Sequence, residues 1–387
     1  ASDDNVKLSF IFDETVTGFD ASDITVTNGT KGTFTQVSEG KEYTFEVKNI
    51  PANEVLTVSV PENSYTDLAG IGGAAGTISR LRDTNRPTPT ITTNVSDITN
   101  STTIIYNIKF SEPVLGLQSD DIQIINAEIN KEIEITKKSG DEYEVKVEYK
   151  EKSQQPTFTI RENAAFDSVG NGNISATNSI KIDIDKPYLS FKNDPSPTYE
   201  TWKKSHSSTV IIADDFTGLK QNAQIKYAWG TSTQPTSWTQ MGAMTGYQEG
   251  EISQEATITG SNLTGKYYLW VAPENVQDLA GNLATEAIHT PKEFWFDNVS
   301  PEIESVEKNT EEWTNGNVTI TVTAADEHSG LHAEAYSFDG GITWQSANYK
   351  EYSENTSGIN IKVRDALGNE TEYGIIDITN IDKTPPT

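Results

Sequence analysis

The sequence predicts an all-β protein built from several small β-sandwich modules in tandem. Its 387 residues exceed the roughly 100 residues that one sandwich needs. Only 34% of the residues are hydrophobic, which suits several thin cores better than one large core. Strand-forming residues recur in alternating patterns, whereas apolar stripes with the helical period are hard to find.

An internal repeat of about one sandwich length predicts four modules. The segment GFDASDITVTN (18–28) corresponds to GLQSDDIQIIN (116–126), and EYTFEV (42–47) corresponds to EYEVKV (142–147). The element D-x-x-G closes each repeat, and its aspartates are Asp67, Asp167, Asp278 and Asp365. These aspartates are 100, 111 and 87 residues apart.

A second element, an acidic residue four positions before a glycine, stands near the front of each repeat. It follows an alternating strand each time: NVKLSFIF (5–12), TIIYNIKF (103–110), STVIIA (208–213) and NVTITVTA (317–324). The acid–glycine pairs are Glu14/Gly18, Glu112/Gly116, Asp214/Gly218 and Asp326/Gly330. Period-two alternation predicts that one face of each strand lies in a core and the other in water.

An aspartate shortly before a proline ends each repeat, because proline terminates a strand and stiffens a short linker. The four are Asp83, Asp185, Asp297 and Asp382. We therefore predict module 1 at 1–83, module 2 at 84–185, module 3 at 186–298 and module 4 at 299–387. Module 1 starts on its second strand, and the last residues of module 4 resemble a further linker, so we expect the segment to belong to a longer array.

The three acidic elements are expected to meet at one end of each module. In an immunoglobulin-like sandwich, the loops after the second and sixth strands share one end, where the incoming linker also arrives. The predicted clusters are Asp83 with Glu112 and Asp167, Asp185 with Asp214 and Asp278, and Asp297 with Asp326 and Asp365. Three carboxylates repel one another unless a cation lies between them, and Ca²⁺ accepts six to eight oxygen ligands. Alternatively, Asp and Gly simply form turns here.

Several of these runs resemble a known family. The segments FDETVTGFDASDITVTNGT and KFSEPVLGLQSDDI and the closing D-x-x-G-N are similar to bacterial Ig-like repeats of large adhesins and biofilm-associated surface proteins. The resemblance implies an elongated, monomeric array of four immunoglobulin-like sandwiches that acts as a non-enzymatic stalk or adhesive segment, often stiffened by calcium. We also expect an extracellular location on a Gram-positive cell surface and an unidentified protein or glycan partner on a host or cell, although the resemblance itself does not imply a ligand.

Module 1 departs from the family pattern at one position. Ile71 follows its D-x-x-G element where an asparagine is usual. In addition, Glu14 and Asp67 would form only a half-site, because module 1 is missing the linker acid that precedes each of the other modules.

Composition excludes several function classes. The net charge of −28, from 29 basic and 57 acidic residues, disfavours binding to nucleic acid and to anionic membranes. There is no cysteine, so disulfides, thiol catalysis and cysteine-based zinc sites are impossible. No G-x-S-x-G, phosphate-binding glycine loop or H-E-x-x-H motif occurs. We expect no enzyme activity.

Two further motifs suggest alternatives. The run SFDGGITW (337–344) matches the Asp box of sialidase-like propellers, which is a structural hairpin turn, and a propeller would need several copies. Module 3 is rich in aromatic residues, and a ligand-binding platform could include Trp202, Trp229, Trp238 and Trp270. The alternatives to a stalk are therefore a carbohydrate- or protein-binding module, or an accessory region of a secreted carbohydrate-active enzyme. The competing interpretation is that these rings belong to the core.

Overall fold

The computed structural model describes residues 3–244 and 246–386, and in this part of the chain it consists of thirty-two strands and one 3₁₀ turn. The predicted all-β class is confirmed. Residues 1–2, 245 and 387, which belong to predicted modules 1, 3 and 4, lie outside the described residues. None of the described helical structure has the length and apolar character needed to cross a membrane. The chain divides into two compact units, 1–184 and 185–387.

Module 1 contains two three-stranded antiparallel sheets and a short two-stranded one. The sheets have the orders β1-β5-β4, β3-β6-β8 and β2-β7. The strands are β1 (Val6–Ile11), β2 (Val16–Thr17), β3 (Thr25–Thr27), β4 (Thr30–Ser38), β5 (Glu42–Lys48), β6 (Val55–Val60), β7 (Thr66–Asp67) and β8 (Gly76–Leu81). Phe45, Val47 and Val58 of the two larger sheets form a common core with Ile24, which directly precedes β3.

Module 2 has two larger sheets that correspond to those of module 1, and one of them gains the edge strand β9. Its sheets have the orders β13-β14-β11-β9 and β12-β15-β16, and β10 pairs in parallel with β17. The elements are β9 (Pro89–Thr93), β10 (Ile98–Thr99), β11 (Thr103–Phe110), a 3₁₀ turn (Ser119–Asp121), β12 (Ile122–Ile125), β13 (Glu134–Lys137), β14 (Glu142–Glu148), β15 (Thr157–Ile160), β16 (Ala176–Ser179) and β17 (Lys181–Ile182).

Module 3 combines a three-stranded sheet, β18-β20-β23, with a larger sheet of order β19-β26-β24-β21-β22, in which β25 also pairs with β24. Its strands are β18 (Tyr188–Phe191), β19 (Trp202–Lys203), β20 (Ser205–Ala213), β21 (Gln224–Gly230), β22 (Thr239–Ala243), β23 (Ser253–Ser261), β24 (Gly265–Asn275), β25 (Ile288–His289) and β26 (Phe294–Phe296). Phe294 and Phe296 are fully buried between the two sheets.

Module 4 is the simplest, with the sheets β27-β28-β30 and β29-β31-β32. Its strands are β27 (Glu302–Lys308), β28 (Val318–Ala325), β29 (Leu331–Ser337), β30 (Tyr349–Tyr352), β31 (Thr356–Asp365) and β32 (Glu370–Ile378). Every strand pairing described above lies within one of the four predicted ranges.

The period-two pattern of the sequence places the cores. Strand β11 buries Ile104, Tyr106, Ile108 and Phe110, and its intervening side chains face outward. Tyr106 stacks on Phe158 of the opposite sheet with ring centroids 4.0 Å apart. The Tyr106 hydroxyl shares a 2.7 Å hydrogen bond with the buried Tyr149 hydroxyl, which satisfies two polar atoms that burial would otherwise leave without partners. Burial raises the pKa of Tyr106 to about 12.

We predict that Phe158→Ala destabilises module 2 by about 3–5 kcal/mol, because it removes a fully buried ring from the centre of the sandwich. Hydrogen exchange of the β11 and β15 amides in the whole chain, followed by mass spectrometry, measures the loss. Ile125→Ala in the same module is the control, since Ile125 is 46% exposed and its change should stay within about 0.5 kcal/mol. Equal exchange in both variants would contradict the assigned core.

Candidate metal centres

In modules 3 and 4 the acid-x-x-x-Gly element is a tight loop that folds around its own carboxylate. In module 4, Asp326 Oδ1 accepts the backbone N–H groups of His328 at 3.1 Å and Gly330 at 2.7 Å. In module 3, Asp214 Oδ1 accepts the N–H of Gly218 at 2.7 Å. Gly218 has φ +82° and its Cα faces the Gly250 backbone, so a Cβ would lie 2.2 Å from the Gly250 carbonyl oxygen. The glycine is therefore a geometric requirement of this loop.

The D-x-x-G-N element holds its aspartate by backbone and side-chain bonds together. Asp167 Oδ1 accepts the N–H groups of Val169, Gly170 and Asn171 at 2.7–2.9 Å, and Asp167 Oδ2 accepts the Asn171 side-chain amide at 2.7 Å. The same side-chain amide bond joins Asn282 to Asp278 at 2.7 Å and Asn369 to Asp365 at 2.6 Å. The motif thus holds the buried carboxylate against its own loop.

A short backbone pairing joins the two loops in each of modules 2, 3 and 4. Leu115 and Phe166 exchange two hydrogen bonds of 2.9 Å, and Leu219 forms the corresponding bridge to Asp278. In module 4, Leu331 is the Cα partner of Asp365. Because each pairing lies next to both acidic elements, it brings their carboxylates to the same end of the sandwich.

The linker before module 2 is bound to the same end. The Asn171 side-chain amide donates to the Asp83 carbonyl oxygen at 3.1 Å. Arg86 donates to the Gly172 carbonyl at 2.7 Å, to Asn173 O at 2.7 Å and to the Glu162 carboxylate at 2.6 Å. The guanidinium therefore attaches the linker to the loop that carries Asp167.

Cluster A consists of Asp83, Glu112 and Asp167, whose nearest carboxylate oxygens all lie within 4.8 Å of one another. Burial and the neighbouring carboxylates of Asp83 and Asp167 raise the pKa of Glu112. Burial also acts to raise the pKa of Asp167, but the hydrogen bonds from Asn171, Val169 and Gly170 outweigh it and hold that pKa below its usual range. In cluster A, hydrogen bonds therefore favour the ionised form of Asp167, whereas burial and the neighbouring carboxylates disfavour the ionised form of Glu112.

Cluster B consists of Asp297, Asp326 and Asp365, also within 4.8 Å of one another. Asp297 and Asp365 are fully buried. Asp297 Oδ2 accepts the Ser329 N–H at 3.1 Å, and the Asn369 amide donates to the Asp297 carbonyl at 3.4 Å. The linker aspartate of module 4 is thus held by both loops, as Asp83 is held by Asn171.

Module 3 brings together only part of its predicted set. Asp214 and Asp278 are buried, and their carboxylate oxygens lie within 4.8 Å of each other. Asp185 is exposed and does not belong to this group, so its assignment from sequence is corrected. The buried aspartate of that linker is Asp183, whose carboxylate accepts the Ser153 hydroxyl at 2.9 Å.

The two aspartates of this linker differ in their spacing from the proline. Asp183 lies four residues before Pro187, just as Asp83 and Asp297 lie four residues before Pro87 and Pro301. Asp185 lies only two residues before its proline.

Asn171 and Asn369 were also missed as functional candidates, although an asparagine follows D-x-x-G in three of the four repeats. Their amides connect the linker aspartate to the loop aspartate, which the motif alone did not show.

The predicted half-site in module 1 lacks most of these bonds. Glu14 is exposed, and Asp67 is partly buried. Asp67 Oδ1 accepts the Ile71 N–H at 2.8 Å, but an isoleucine side chain has no amide to donate to the second carboxylate oxygen. The loop therefore keeps its backbone turn without the side-chain connection of the other modules.

The donor set of clusters A and B fits a hard divalent cation. Each offers three carboxylates and contains no histidine, and Ca²⁺ prefers oxygen ligands of this kind. Among the described residues, no lysine or arginine forms an ion pair with any of these six acids. Partly or fully buried carboxylates without a basic partner are costly, and a bound cation would offset that cost.

The four candidate tryptophans of module 3 occupy different environments. Trp270 is buried, and its ring nitrogen donates to the Thr231 carbonyl at 2.8 Å. Trp229 packs edge-on against Phe294 and Phe296 at 5.4 and 5.0 Å. Its Cα partner is Leu269, so Trp229 and Trp270 point to opposite faces of the sheet.

The remaining two tryptophans are partly covered. The Trp202 ring lies 5.4 Å from Trp295 at an interplanar angle of 49°, and the Lys226 ammonium lies 5.7 Å from the Trp238 ring. Within the described residues, no two of the four rings stack on each other, so they offer no coplanar pair for a sugar.

The Asp-box segment forms the hairpin turn that its sequence predicts. Ser337 Oγ donates to Asp339 Oδ1 at 2.8 Å, and the Thr343 N–H donates to the same oxygen at 2.8 Å. Hydrogen bonds from the hydroxyl and N–H of Thr343 are the main reason why the pKa of Asp339 falls to about 2. The carboxylate is therefore occupied in holding the turn together.

Comparison with known proteins gives one family match. The model of the bacterial Ig-like domain matches residues 1–81 and 83–184. A comparison with curated protein sequences finds no match.

Among solved structures, InvD from Yersinia pseudotuberculosis is 9% identical with a TM-score of 0.32, covering 76% of this chain and 98% of that one. The adhesin InvE from the same species is 13% identical with a TM-score of 0.22, covering 58% and 68%. Native α2-macroglobulin from Escherichia coli, over domains MG0-NIE-MG1, is 9% identical with a TM-score of 0.22, covering 74% and 97%. Likenesses this distant carry no argument about function. The family match therefore covers modules 1 and 2, and residues 1–81 and 83–184 are each identified as a bacterial Ig-like domain.

Proposed function

We propose that the chain is a non-enzymatic stalk or adhesive segment of a bacterial surface protein, with Ca²⁺ bound at clusters A and B. Membership of residues 1–184 in a bacterial Ig-like family supports a structural or adhesive role. The observation that carries the calcium proposal is that a linker aspartate lies within 4.8 Å of two loop carboxylates of the following module. An extracellular location and a protein or glycan partner on a host or cell are part of the same proposal.

The physical role of the cation would be to connect linker and sandwich. Asp83 belongs to the linker, whereas Glu112 and Asp167 belong to two separate loops of module 2. A cation bound to all three would cross-link chain segments that are otherwise joined only by hydrogen bonds such as that from Asn171. Since the sequence has no cysteine, no disulfide can supply this connection.

Electrostatics give the same proposal a second support. Because the pKa of Glu112 is raised, its protonated form adds stability at low pH that is lost as the pH rises through the raised pKa. At neutral pH the ionised Glu112 carboxylate therefore destabilises the module in the absence of a cation. With Ca²⁺ bound, the ionised carboxylate would stabilise the folded module instead of destabilising it. The stability of module 2 would then depend on calcium.

We predict that Glu112→Gln has opposite effects without and with Ca²⁺. In a chelator at pH 7 the variant should be more stable than the parent, because one of three repelling charges is removed. With Ca²⁺ it should bind at least ten-fold more weakly and gain less stability than the parent. Calorimetric titration and thermal unfolding measure the two effects.

Extracellular Ca²⁺ sites have Kd values of about 10⁻⁴–10⁻³ M, and a ligand at 100 times its Kd stabilises the folded state by about 2.7 kcal/mol. Glu132→Gln is the matched control, because Glu132 is an exposed acid of the same module outside the cluster. If Ca²⁺ produces neither heat of binding nor a shift of the unfolding temperature in the parent chain, the calcium proposal fails. The proposal that the chain is a stalk would then stand without a metal.

We further predict that Ca²⁺ restricts the motion of module 1 relative to module 2. Since the chain has no cysteine, spin labels can be attached through Val37→Cys and Ile125→Cys, two exposed positions in modules 1 and 2. The distance distribution from electron double resonance should be narrower with Ca²⁺ than with chelator. Adding Glu112→Gln should remove most of the narrowing.

A label pair within module 2, at Ile125 and the exposed Thr136, serves as the control and should not respond to Ca²⁺. A distribution between modules 1 and 2 that is equally broad in both conditions would show that the cation does not stiffen the linker.

A further inference from the structure

One aromatic side chain of module 3 contacts the acidic loop of module 4. The Trp202 ring stands edge-on to the His328 ring, with centroids 5.4 Å apart and an interplanar angle of 86°. His328 lies within the loop 326–330, and its N–H donates to Asp326 Oδ1 at 3.1 Å. Both modules belong to the compact unit 185–387. The contact therefore connects module 3 to the loop that supplies one carboxylate of cluster B.

Trp202 is held in place by module 3 itself. Strand β19, which carries Trp202, pairs in parallel with β26, and the Trp295 ring of β26 lies 5.4 Å from the Trp202 ring. The buried His206 of β20 donates its Nε2–H to the carbonyl oxygens of Thr201 at 3.1 Å and Trp295 at 2.9 Å. Thr201 directly precedes β19. The backbone that carries Trp202 is therefore anchored to a core strand of its module.

The linker aspartate is bonded to both modules beside this contact. The Asp297 N–H donates to the carbonyl of Lys203, the residue after Trp202, at 3.1 Å. The N–H of Ser329, the residue after His328, donates to Asp297 Oδ2 at 3.1 Å. Two consecutive residues of module 3 are thus connected to two consecutive residues of module 4, one pair through aromatic rings and the other through Asp297.

We propose that Trp202 positions the loop 326–330 for cation binding, so that occupancy of cluster B and the packing of module 4 on module 3 favour each other. This inference rests on the proposed calcium site at cluster B. Asp326 and His328 belong to one loop that is tightened around a single carboxylate oxygen, so a ring that restrains His328 also restrains Asp326. A ligand that is restrained before binding lowers the cost of ordering the site. Because coupling is reciprocal, a bound cation would in turn hold the loop against Trp202.

The loop of cluster A has no aromatic ring at the equivalent position. Val114 stands two residues after Glu112, as His328 stands two residues after Asp326, and Val114 is buried in the core of module 2. We therefore expect that Ca²⁺ binding at cluster A does not depend on an aromatic contact with the preceding module. Cluster A thus serves as a reference within the same chain.

The test follows hydrogen exchange of the 387-residue chain by mass spectrometry during a Ca²⁺ titration, because peptides that cover 112–116 and 326–330 report the two clusters separately. Trp202→Ala should raise the Ca²⁺ concentration for half-maximal protection of 326–330 by about five-fold or more, and should leave the value for 112–116 unchanged. Trp202→Phe keeps an aromatic ring and should recover most of the difference.

A double variant tests whether the two rings act through one contact. His328→Ala should raise the half-maximal Ca²⁺ concentration for 326–330 as Trp202→Ala does. The variant with both substitutions should shift it no further than either single substitution, because each removes the same contact.

Trp313→Ala is the matched control. Trp313 is 73% exposed in module 4 and directly precedes Thr314, whose carbonyl accepts the Asp382 N–H at 2.9 Å. It therefore has the same place relative to a linker aspartate as Trp202 has in module 3. Its replacement should leave both Ca²⁺ titrations unchanged.

If Ca²⁺ protects both loops in the parent chain but Trp202→Ala does not change the titration of 326–330, the coupling is wrong and the calcium proposal stands. An equal shift at 112–116, or additive shifts in the double variant, would also overturn the coupling. If Ca²⁺ protects neither loop in the parent chain, the calcium proposal itself fails, and the coupling fails with it.

Discussion

At the junctions before modules 2 and 4, an asparagine side chain that bonds to the linker carbonyl holds the linker aspartate beside the acidic loops. Asn171 contacts both Asp167 and Asp83 through one amide group, and Asn369 does the same for Asp365 and Asp297. An amide nitrogen has two protons, so one residue can satisfy a loop carboxylate and a linker carbonyl at once. The consequence is electrostatic, because the same bonds bring three carboxylates within 4.8 Å without a lysine or arginine partner among the described residues.

Much of the fold could be predicted from the sequence because strand alternation is a local signal. The segment TIIYNIKF coincides with β11 at Thr103–Phe110, and NVTITVTA lies within one residue of β28 at Val318–Ala325. In both strands the buried side chains are those at alternate apolar positions. The predicted and observed strands agree closely because each core lies between only two sheets. Each strand then buries one face, so apolar and polar residues alternate along its sequence.

The candidate site was predictable only in part, because its residues are brought together by turns and linkers. The pairing of Leu115 with Phe166 could be expected from sandwich topology, so Glu112 and Asp167 were placed correctly relative to each other. The predicted linker acid of module 3, Asp185, is exposed and lies outside the group of Asp214 and Asp278, and two aspartates near the same proline made that prediction ambiguous. The number of tryptophans in module 3 likewise did not predict where their side chains lie. Trp229 and Trp270 belong to one sheet, yet their side chains point to opposite faces of it.

The same thin cores explain why the first strand matters so much. In module 2, β9 covers one side of β11, and the three core residues Tyr106, Ile108 and Phe110 become almost completely buried. In module 1 the corresponding side chains Leu8, Phe10 and Phe12 retain exposure, although the rest of the core, including Phe45 and Val47, is fully buried. Burying apolar surface stabilises a protein by about 25 cal/mol per Å². Strand β9 therefore stabilises module 2 through its own side chains and through those of β11 that it covers.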